Sequence, residues 1–276
     1  MKTVLVTGCS TGIGKITAQG LREKGYHVIA TVRKPEDTQW LKQQGISVFM
    51  MDYADAESVL KAATDILEHT GGTLDAVFHN GAYGQPGAVE DLSRDVIEKQ
   101  FASNVFGWMQ LTNLILPVMR KQGHGTIIFN SSLLGIVTLP FRGAYNASKY
   151  ALEGFADTLR MELLDSPINV VLIEPGPIAS EFRANSLVKL EENIDVENSV
   201  HRDLYLNVLK RLKTKGPAVP FTLPAEAVLA KVEQALMAKR PRPRYYVTFP
   251  TYLFGFFKRV LPTSWLDRVL TKLGGS

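Results

Sequence analysis

The residues Thr7-Gly8-Cys9-Ser10-Thr11-Gly12-Ile13-Gly14 connect an apolar run at residues 3–7 to a helical pattern at residues 13–25. The three glycines let the backbone turn sharply and approach a bound pyrophosphate closely. The helix behind them would direct free N–H groups and the positive end of its dipole at the same ligand. A strand, a glycine-rich turn and a helix in this order predict a dinucleotide-binding α/β domain. We assign six residues of the turn to cofactor binding: Gly8, Ser10, Thr11, Gly12, Ile13 and Gly14.

Short apolar runs recur along the rest of the chain. They lie at residues 27–32, 47–51, 75–79, 126–130 and 169–174, and a last strand is predicted at 245–249. Because these runs are apolar almost throughout, they are typical of strands covered on both faces of a parallel sheet. Helical patterns separate them, near residues 56–69, 93–121, 145–165 and 224–239. This alternation predicts one doubly wound α/β domain with a mostly parallel sheet of about seven strands and helices on both faces.

The composition is that of a globular chain. It has 276 residues, of which 45% are hydrophobic and 21% charged, and this balance excludes disorder, collagen and coiled coil as the main state. A single cysteine, Cys9, excludes an internal disulfide and a cysteine-built zinc site, and we predict no metal. We expect a cytoplasmic protein, because no stretch reads as a signal peptide or as a membrane span.

The positive charge is concentrated at the end of the chain. Residues 239–276 hold eight basic residues and one acid, whereas the whole chain has a net charge of +4. The first 238 residues are therefore slightly acidic, which gives no support for nucleic-acid binding by the whole protein. We divide the chain into a nucleotide-binding domain at 1–240, with an irregular substrate-covering insertion at 179–223, and a basic tail at 241–276.

The tail contains a predicted amphipathic helix. Thr263 or Ser264 would cap it and Gly274 would end it, with an apolar side formed by Trp265, Leu266, Val269, Leu270 and Leu273. Two interpretations stay open. The apolar side packs on the body or a partner subunit and covers the substrate pocket, or the tail contacts an anionic membrane surface peripherally.

A second motif carries chemistry. Tyr145 and Lys149 are four residues apart, so they lie one turn from each other on one face of a predicted helix. An ammonium beside the phenol would lower the tyrosine pKa from its ordinary value of about 10, and the pair could then give or take a proton. Ser132 stands thirteen residues earlier, where its hydroxyl could bind a substrate oxygen. The neighbouring Ser131 is the weaker candidate.

The end of the second strand bears on cofactor choice. Enzymes that use NAD usually place an acidic residue here to hold the ribose 2′-hydroxyl. In this chain that position is Thr31, and Arg33 follows. Because an arginine can grip a 2′-phosphate through a forked, charge-assisted contact, the sequence predicts NADP(H) rather than NAD(H).

The spacing Thr-Gly-x-x-x-Gly-x-Gly at residues 7–14 and the pattern Ser132…Tyr145-x-x-x-Lys149 resemble the short-chain dehydrogenase/reductase family, most closely its steroid and retinol dehydrogenase branch. The resemblance covers residues 2 to about 240. It implies a Rossmann fold and a catalytic set of four. Asn104 would be the fourth member, holding a kinked helix and a water in a proton relay with the lysine. Lys149 would also hold the nicotinamide ribose.

The resemblance also implies further cofactor contacts. Asp52 and Tyr53 would lie at the adenine, and the turn Asn80-Gly81-Ala82, a loose match to the family pattern, would approach the adenosine ribose. Near the nicotinamide carboxamide the implied residues are Pro175, Gly176, Ile178 and Ser180. Family members assemble through helices such as those near 93–121 and 145–165, so a homodimer or homotetramer is expected.

These features together predict hydride transfer between NADP(H) and a small lipophilic carbonyl compound or alcohol, which could be an aldehyde, a ketone, a retinoid or a steroid-like compound. The pocket candidates are Leu133, Leu134, Val137, Leu139, Phe141, Ile178, Phe182 and Leu187, with Tyr83 and Gln85 as polar contacts. One alternative is a 3-ketoacyl-thioester reductase, whose carrier-protein partner would want basic residues near the site mouth, which are not evident outside the tail. Another is a non-catalytic NADP-sensing protein, which would need no Tyr–Lys pair. An RNA- or membrane-binding scaffold would explain only the tail.

Overall fold

A computed structural model describes residues 1–274; Gly275 and Ser276, which end the predicted tail segment 241–276, lie outside the described residues. The strands are β1 (Thr3–Val6), β2 (His27–Val32), β3 (Ser47–Met50), β4 (Ala76–His79), β5 (Gly125–Asn130), β6 (Ile168–Glu174) and β7 (Arg244–Tyr246). They form one sheet in the order β3-β2-β1-β4-β5-β6-β7, and every neighbouring pair is parallel. The predicted doubly wound sheet is confirmed.

Helices cover both faces of this sheet. They are α1 (Gly12–Glu23), α2 (Thr38–Gln43), α3 (Ala56–His69), α4 (Arg94–Phe101), α5 (Gly107–Gln122), α6 (Gly143–Glu162), α7 (Phe182–Asn193), α8 (Arg202–Lys213), α9 (Glu226–Met237), α10 (Phe249–Val260) and α11 (Thr263–Gly274). Two apolar layers result. One joins the sheet to α3, α5 and α6 around Trp108, and the other joins it to α1 and α9 around Leu21 and Val232. Strands that are buried on both faces account for the continuous apolar runs of the sequence.

Three segments differ from the sequence-based expectation. The long helix expected at 93–121 is two helices joined by a π-helical turn, Ala102–Phe106. The last strand, expected at 245–249, stops at Tyr246, because Phe249 and Pro250 already open α10, and proline is favoured in a first helical turn. The insertion at 179–223 contains α7 and α8, whose inward side chains Leu190 and Tyr205 pack together.

The tail packs on the body through one side of its two helices. Leu266 and Leu270 of α11 and Phe254 of α10 are buried in a cluster with Val137. Helix α11 starts at Thr263 and continues to Gly274, the last residue that the structure describes. Within residues 1–274 no helix combines the length and the apolar character that crossing a membrane requires.

Candidate active site

A cleft of about 1320 Å³ runs along the carboxyl ends of the strands. It begins at the glycine-rich turn between β1 and α1, passes Ser132 and Tyr145, and ends between the insertion helices and the tip of α11. The strand order reverses direction between β1 and β4, and sheets of this kind open a crevice for ligands at such a point.

The backbone of the glycine-rich turn leaves no room for side chains. Gly8 has a φ of +66°, and a Cβ there would stand 2.5 Å from the Cα of Gly81. A Cβ on Gly14 would stand 2.2 Å from the carbonyl oxygen of Gly8. Thr11 occupies the N-cap position of α1, but its side chain caps no N–H group of the helix, and the first turn contains no acidic residue. The turn therefore offers free N–H donors to an anionic group.

Asn80 braces this turn from the neighbouring strand. Its Nδ2 donates to the carbonyl oxygens of Thr7 (3.0 Å) and Gly8 (3.3 Å), and its Oδ1 accepts from Asn130 Nδ2 at 2.9 Å. The hydroxyl of Thr7 accepts from the backbone N–H groups of Asn80 and Gly81. These contacts hold the backbone at Gly8 close to the backbone at Gly81, which is possible because both residues are glycines.

Most of the predicted cofactor residues line the cleft, namely Gly8, Ser10, Thr11, Gly12, Ile13, Arg33, Asp52, Tyr53, Asn80, Gly81, Ala82, Lys149, Pro175, Gly176, Ile178 and Ser180. Gly14 lies behind the turn. Arg33 is exposed, and among the described residues no carboxylate pairs with it. Thr31 is buried, and its hydroxyl accepts a hydrogen bond from the Gly8 N–H at 3.4 Å.

The phenol of Tyr53 turns away from the cleft. It is hydrogen-bonded to the Thr7 hydroxyl (3.1 Å) and to Nδ1 of His79 (2.7 Å), while Nε2 of the same ring meets the Thr112 hydroxyl at 3.1 Å. Burial lowers the pKa of His79 to about 3, so the ring is neutral at ordinary pH. This buried series of hydrogen bonds supports the glycine-rich turn on the side away from the cleft. His79 was not predicted from the sequence, because a histidine inside an apolar strand gives no pattern of its own.

Tyr145 and Ser132 meet at the centre of the cleft. Tyr145 is 9% exposed, and burial raises its pKa to about 12, although a hydrogen bond with the Ser132 hydroxyl acts in the opposite direction. Lys149 is buried one turn further along α6, its Nζ 5.7 Å from the centre of the Tyr145 ring and 2.7 Å from the carbonyl oxygen of Asn130.

The expectation that Lys149 lowers the pKa of Tyr145 is wrong for this arrangement. Burial dominates at the phenol and also lowers the pKa of Lys149 to about 7, so the ammonium is only partly populated at neutral pH. The phenol is consequently a proton donor, and the amine behind it can exchange a proton near neutrality.

The two neighbouring serines point in different directions. The Ser131 hydroxyl donates to Glu153, whereas Ser132 interacts with Tyr145, and its Oγ accepts from the Leu134 N–H at 3.1 Å. Only Ser132 therefore presents its hydroxyl where a substrate oxygen could meet the phenol.

Asn104 lies in the π-helical turn, outside the lining of the cleft. Its Nδ2 donates to the carbonyl oxygen of Tyr83 (2.9 Å) and to the Ser148 hydroxyl (3.2 Å), and its Oδ1 accepts from the Tyr83 N–H. The residue thus ties the kink to the loop after β4 and to the catalytic helix. The family resemblance implied a kinked helix at this residue, whereas residue spacing alone gives no signal for a π-turn, a feature that is frequent at functional sites.

A charged cluster behind the site was not predicted. Arg244 of β7 is hydrogen-bonded to Glu153, to Oε1 of Glu174 (2.5 Å) and to Oδ2 of Asp157 (2.6 Å). Burial raises the pKa of Glu174 to about 8, and the charge of Glu153 acts in the same direction. Glu153 stands four residues after Lys149, so the helical spacing that identified the lysine could have identified it too.

The substrate end of the cleft is mostly apolar. The predicted residues found there are Leu133, Leu134, Leu139, Phe141, Ile178, Phe182, Leu187, Tyr83 and Gln85. Val137 is not among them, because it is buried under the tail helices. The amide of Gln85 is occupied: it donates to the carbonyl oxygens of Pro86 and Lys189, and it accepts from Asn193.

Comparison with known proteins gives consistent results. A family model described as short chain dehydrogenase matches residues 2–190. The uncharacterized oxidoreductase YbbO of Escherichia coli strain K12 is 40% identical over 269 residues, which cover 98% of this chain and 94% of that protein. Retinol dehydrogenase 8 of Homo sapiens is 34% identical over 226 residues, 76% of this chain and 71% of that protein. The expected resemblance to retinol dehydrogenases is thereby confirmed.

A solved structure shows the same fold. A short chain dehydrogenase/reductase from Burkholderia phymatum, in complex with NAD, aligns with a TM-score of 0.77 at 22% identity. The alignment covers 94% of this chain and 92% of that one.

Proposed function

The chain belongs to the short-chain dehydrogenase family of oxidoreductases, and we propose that it transfers hydride between NADP(H) and a lipophilic aldehyde, ketone or alcohol. One observation carries the proposal: the hydroxyls of Ser132 and Tyr145 meet in an apolar cleft, with Lys149 buried behind them. Two donors placed together in this way can bind and protonate a carbonyl oxygen.

The residues of the cleft fit a nicotinamide dinucleotide. The free N–H groups at the start of α1 and the side-chain-free turn suit a pyrophosphate, and no acidic residue of the first turn opposes it. Asp52 would hold the adenine, and Lys149 the nicotinamide ribose. When bound, the nicotinamide would supply or accept the hydride, and the protein would orient and polarise the substrate.

The proposed preference for NADP(H) rests on Arg33. Its exposed, unpaired guanidinium stands at the cleft edge after β2, and the buried Thr31 provides no carboxylate to repel a 2′-phosphate. Arg33→Ala should weaken NADPH binding about ten- to hundredfold and leave NADH binding nearly unchanged, as measured by fluorescence titration. Lys34→Ala, at the exposed neighbouring position, is the control. Equal losses for both cofactors would contradict the preference.

Tyr145 would act as the acid during carbonyl reduction. With a pKa of about 12 the phenol keeps its proton at neutral pH, as a proton donor must. Ser132 would donate a hydrogen bond to the same oxygen as negative charge develops there. Lys149, whose pKa is about 7, can return a proton to the phenol, and Asn104 holds the helix turn that supports the relay. Oxidation of an alcohol would run these steps in reverse.

Replacement of the phenol tests the assignment. Tyr145→Phe should lower kcat for NADPH-dependent ketone reduction at least about a hundredfold, because acid–base catalysis contributes about 10²–10⁴-fold and no other described hydroxyl pairs with Ser132. Cofactor affinity should stay normal. Tyr150→Phe lies on the same helix, with its hydroxyl bonded to Ile136, and serves as the control. Near-native turnover by Tyr145→Phe would refute the proposed role.

A second candidate, a 3-ketoacyl-thioester reductase, gains support from one observation. Basic residues near the mouth were not expected outside the tail, yet Arg183, Arg211, Lys213 and Lys215 all line the cleft there. They are separated in the chain, and the folding of the insertion brings them together. Acetoacetyl thioesters therefore belong in the substrate panel beside retinal, steroid ketones and aliphatic aldehydes. A non-catalytic NADP-sensing protein would bind cofactor and reduce none of these compounds.

Assembly and location complete the proposal. Phe155, Met161 and Leu164 leave an exposed apolar surface on and after α6, which supports a homodimer or homotetramer through this side. The single cysteine, Cys9, is buried and its pKa is raised to about 12, so it is unreactive. We propose a cytoplasmic enzyme, which fits a cofactor that is kept reduced there.

A further inference from the structure

Arg211 is a partly buried arginine without a protein partner. It lies on α8 and lines the substrate end of the cleft. Its Nε is fully buried, and within residues 1–274 no group forms a hydrogen bond or an ion pair with its side chain. Burial lowers the pKa of this guanidinium, and no carboxylate acts against that effect.

A partly buried guanidinium without an acceptor lowers the stability of the folded protein unless a ligand provides the acceptor. A buried N–H group without an acceptor destabilises a protein, and buried charges are normally paired. Arg244 shows the ordinary solution in the same molecule, with three carboxylates around one guanidinium. Because Arg211 faces an open cleft, a bound molecule can supply the missing acceptor.

Two of the three neighbouring basic residues that line the cleft are already occupied, and the third, Lys215, is exposed. The Arg183 guanidinium donates to the carbonyl oxygen of Gly216, and Lys213 pairs with Glu191 at 3.7 Å. The same cleft is also lined by leucines, among them Leu139 and Leu187. The substrate end of the cleft therefore combines an apolar wall with one forked donor that matches a carboxylate or a phosphate.

We propose that Arg211 binds an anionic group of the substrate, either a carboxylate or a phosphate. The substrate class is then an amphipathic carbonyl compound, with a lipophilic body along the leucine wall and an anionic end at α8. This inference rests on the proposed function, since the carbonyl of the same molecule would lie between Ser132 and Tyr145.

Kinetics with a matched substrate pair test it. A long-chain oxo-acid and its methyl ester differ only in the anionic group, and the wild-type enzyme should prefer the acid by about ten- to hundredfold in kcat/KM. Arg211→Gln should lose activity on the acid at least tenfold more than on the ester, mainly through KM. Arg202→Gln, on the same helix but exposed and paired with Glu197, is the control. Equal preference in the wild type, or equal losses in Arg211→Gln, would overturn the proposal.

Binding without turnover separates this inference from the proposed function. Calorimetric titration of the full chain with dodecanoate, dodecyl phosphate and dodecanol should show at least one anion binding tenfold tighter than the alcohol. Arg211→Gln should abolish that difference, and the stronger of the two anions identifies the group. If the difference is present but no carbonyl is reduced, the proposed function fails and the anion site stands. If dodecanol binds as well as both anions, the anion site is refuted.

A second inference comes from the exposed side of the tail. Four side chains lie along one face of α10 and are all more than half exposed: Phe249 (55%), Tyr252 (53%), Phe256 (60%) and Val260 (53%). We call them the α10 stripe. Phe221 extends it, with its ring centre 4.9 Å from that of Phe249. A contiguous apolar face of this size on a soluble domain marks an interaction site.

Unpaired cations stand beside the α10 stripe. A second cleft, of about 410 Å³, is lined by Lys231, Arg242 and Arg259, and also by Tyr252 of the stripe. No carboxylate lines it, and none of these three cations has an ion pair among residues 1–274. A positively charged recess next to exposed aromatic rings is complementary to an anionic phospholipid surface, where phosphates lie above an apolar layer.

We infer that this face docks on an anionic lipid bilayer, with the α10 stripe at the interface and the cationic cleft on lipid phosphates. Tyrosine and phenylalanine side chains suit the headgroup level of a bilayer.

Sedimentation of the full chain with liposomes tests this docking. Binding should be at least tenfold stronger to vesicles with roughly 30 mol% phosphatidylglycerol than to phosphatidylcholine vesicles, and it should weaken with salt. Phe256→Ser and Arg259→Gln should each reduce it severalfold. Phe106→Ser removes an equally exposed ring (60%) outside the tail and is the control. Binding that does not depend on lipid charge, or that persists in both variants, would overturn the inference. The inference would also fail if the wild-type chain is a dimer and Phe256→Ser is a monomer, because the α10 stripe would then be a subunit interface.

Discussion

Arg244 and Arg211 are both partly buried arginines, and they differ in what surrounds them. Three carboxylates contact Arg244, and although burial alone would lower the pKa of its guanidinium, their charges raise it above the ordinary range. No described carboxylate approaches Arg211, and its pKa is lowered. Burial therefore does not define the role of a charge. An arginine with protein partners stabilises the fold, whereas one without partners in a cleft is available to a ligand.

The largest effect is expected at Arg244. Arg244→Met would leave Glu153 and Glu174 buried next to each other without a cation, and breaking a buried pair in this way costs about 3–5 kcal/mol. Urea unfolding followed by tryptophan fluorescence would measure the loss. Arg240→Met, at an exposed position without an ion pair among residues 1–274, should change the free energy of unfolding by less than about 0.5 kcal/mol. Similar values for both variants would mean that the charged cluster does not stabilise the fold.

The opposite sign is expected at Arg211. Arg211→Met removes a buried donor that has no acceptor, and it should raise the free energy of unfolding by about 1 kcal/mol, the lower end of the cost of an unsatisfied group. The same urea titration would detect the gain, and Arg202→Met on the exposed side of α8 should show none. If Arg211→Met is less stable than the wild type, packing of the aliphatic part of Arg211 stabilises the fold by more than burial of its charge destabilises it. The two arginines would then not differ in the sign of their effect on stability.

The contrast between these arginines shows where prediction from the sequence ends. The strands were predicted to within one or two residues, except at the end of the last strand, because a sheet covered on both faces requires continuous apolar runs. Tyr145 and Lys149 were found because a helix repeats every 3.6 residues. The two side chains lie on the same face of a helix because of this period, and the period can be read directly from the sequence.

The roles of the two arginines depend on tertiary structure instead. Arg244 contacts residues 70 to 91 positions away in the chain, and in the sequence it is one of six basic residues of the tail. Arg211 stands in a mixed, charged insertion where basic residues are frequent. The spacing of residues in the sequence therefore predicts neither the carboxylates that surround Arg244 nor the lack of described partners at Arg211. The π-helical turn at Asn104 is similar in this respect, since its cause is the packing around it.

The pH dependence of stability sharpens the comparison. The pKa of Glu174 is about 8 in the folded protein and about 4.5 in the unfolded chain, so the folded state binds the extra proton between these values. Stability from this proton is fully present below pH 4.5 and is lost as the pH rises toward 8, at no more than about 1.4 kcal/mol per pH unit. Glu174→Gln, which keeps the protonated shape, should lose less stability than the wild type between pH 5.5 and 7.5. Parallel curves would show that Glu174 stays ionised.

The smallest effect is expected at the outer edge of the Arg244 cluster. Asp157 is 37% exposed and pairs with both Arg244 (2.6 Å) and Arg160 (2.5 Å), so water screens its charge and already solvates it. Asp157→Asn should therefore cost only about 0.5 kcal/mol, the value typical of exposed ion pairs, and 0.5 M NaCl should remove most of that cost. Because Arg244→Met already removes the cation that Asp157 shares with the cluster, the double variant Asp157→Asn, Arg244→Met should be no less stable than Arg244→Met alone. A cost above about 2 kcal/mol for Asp157→Asn, insensitive to salt, would place Asp157 among the buried partners, and the cluster would then act as one unit of four charges.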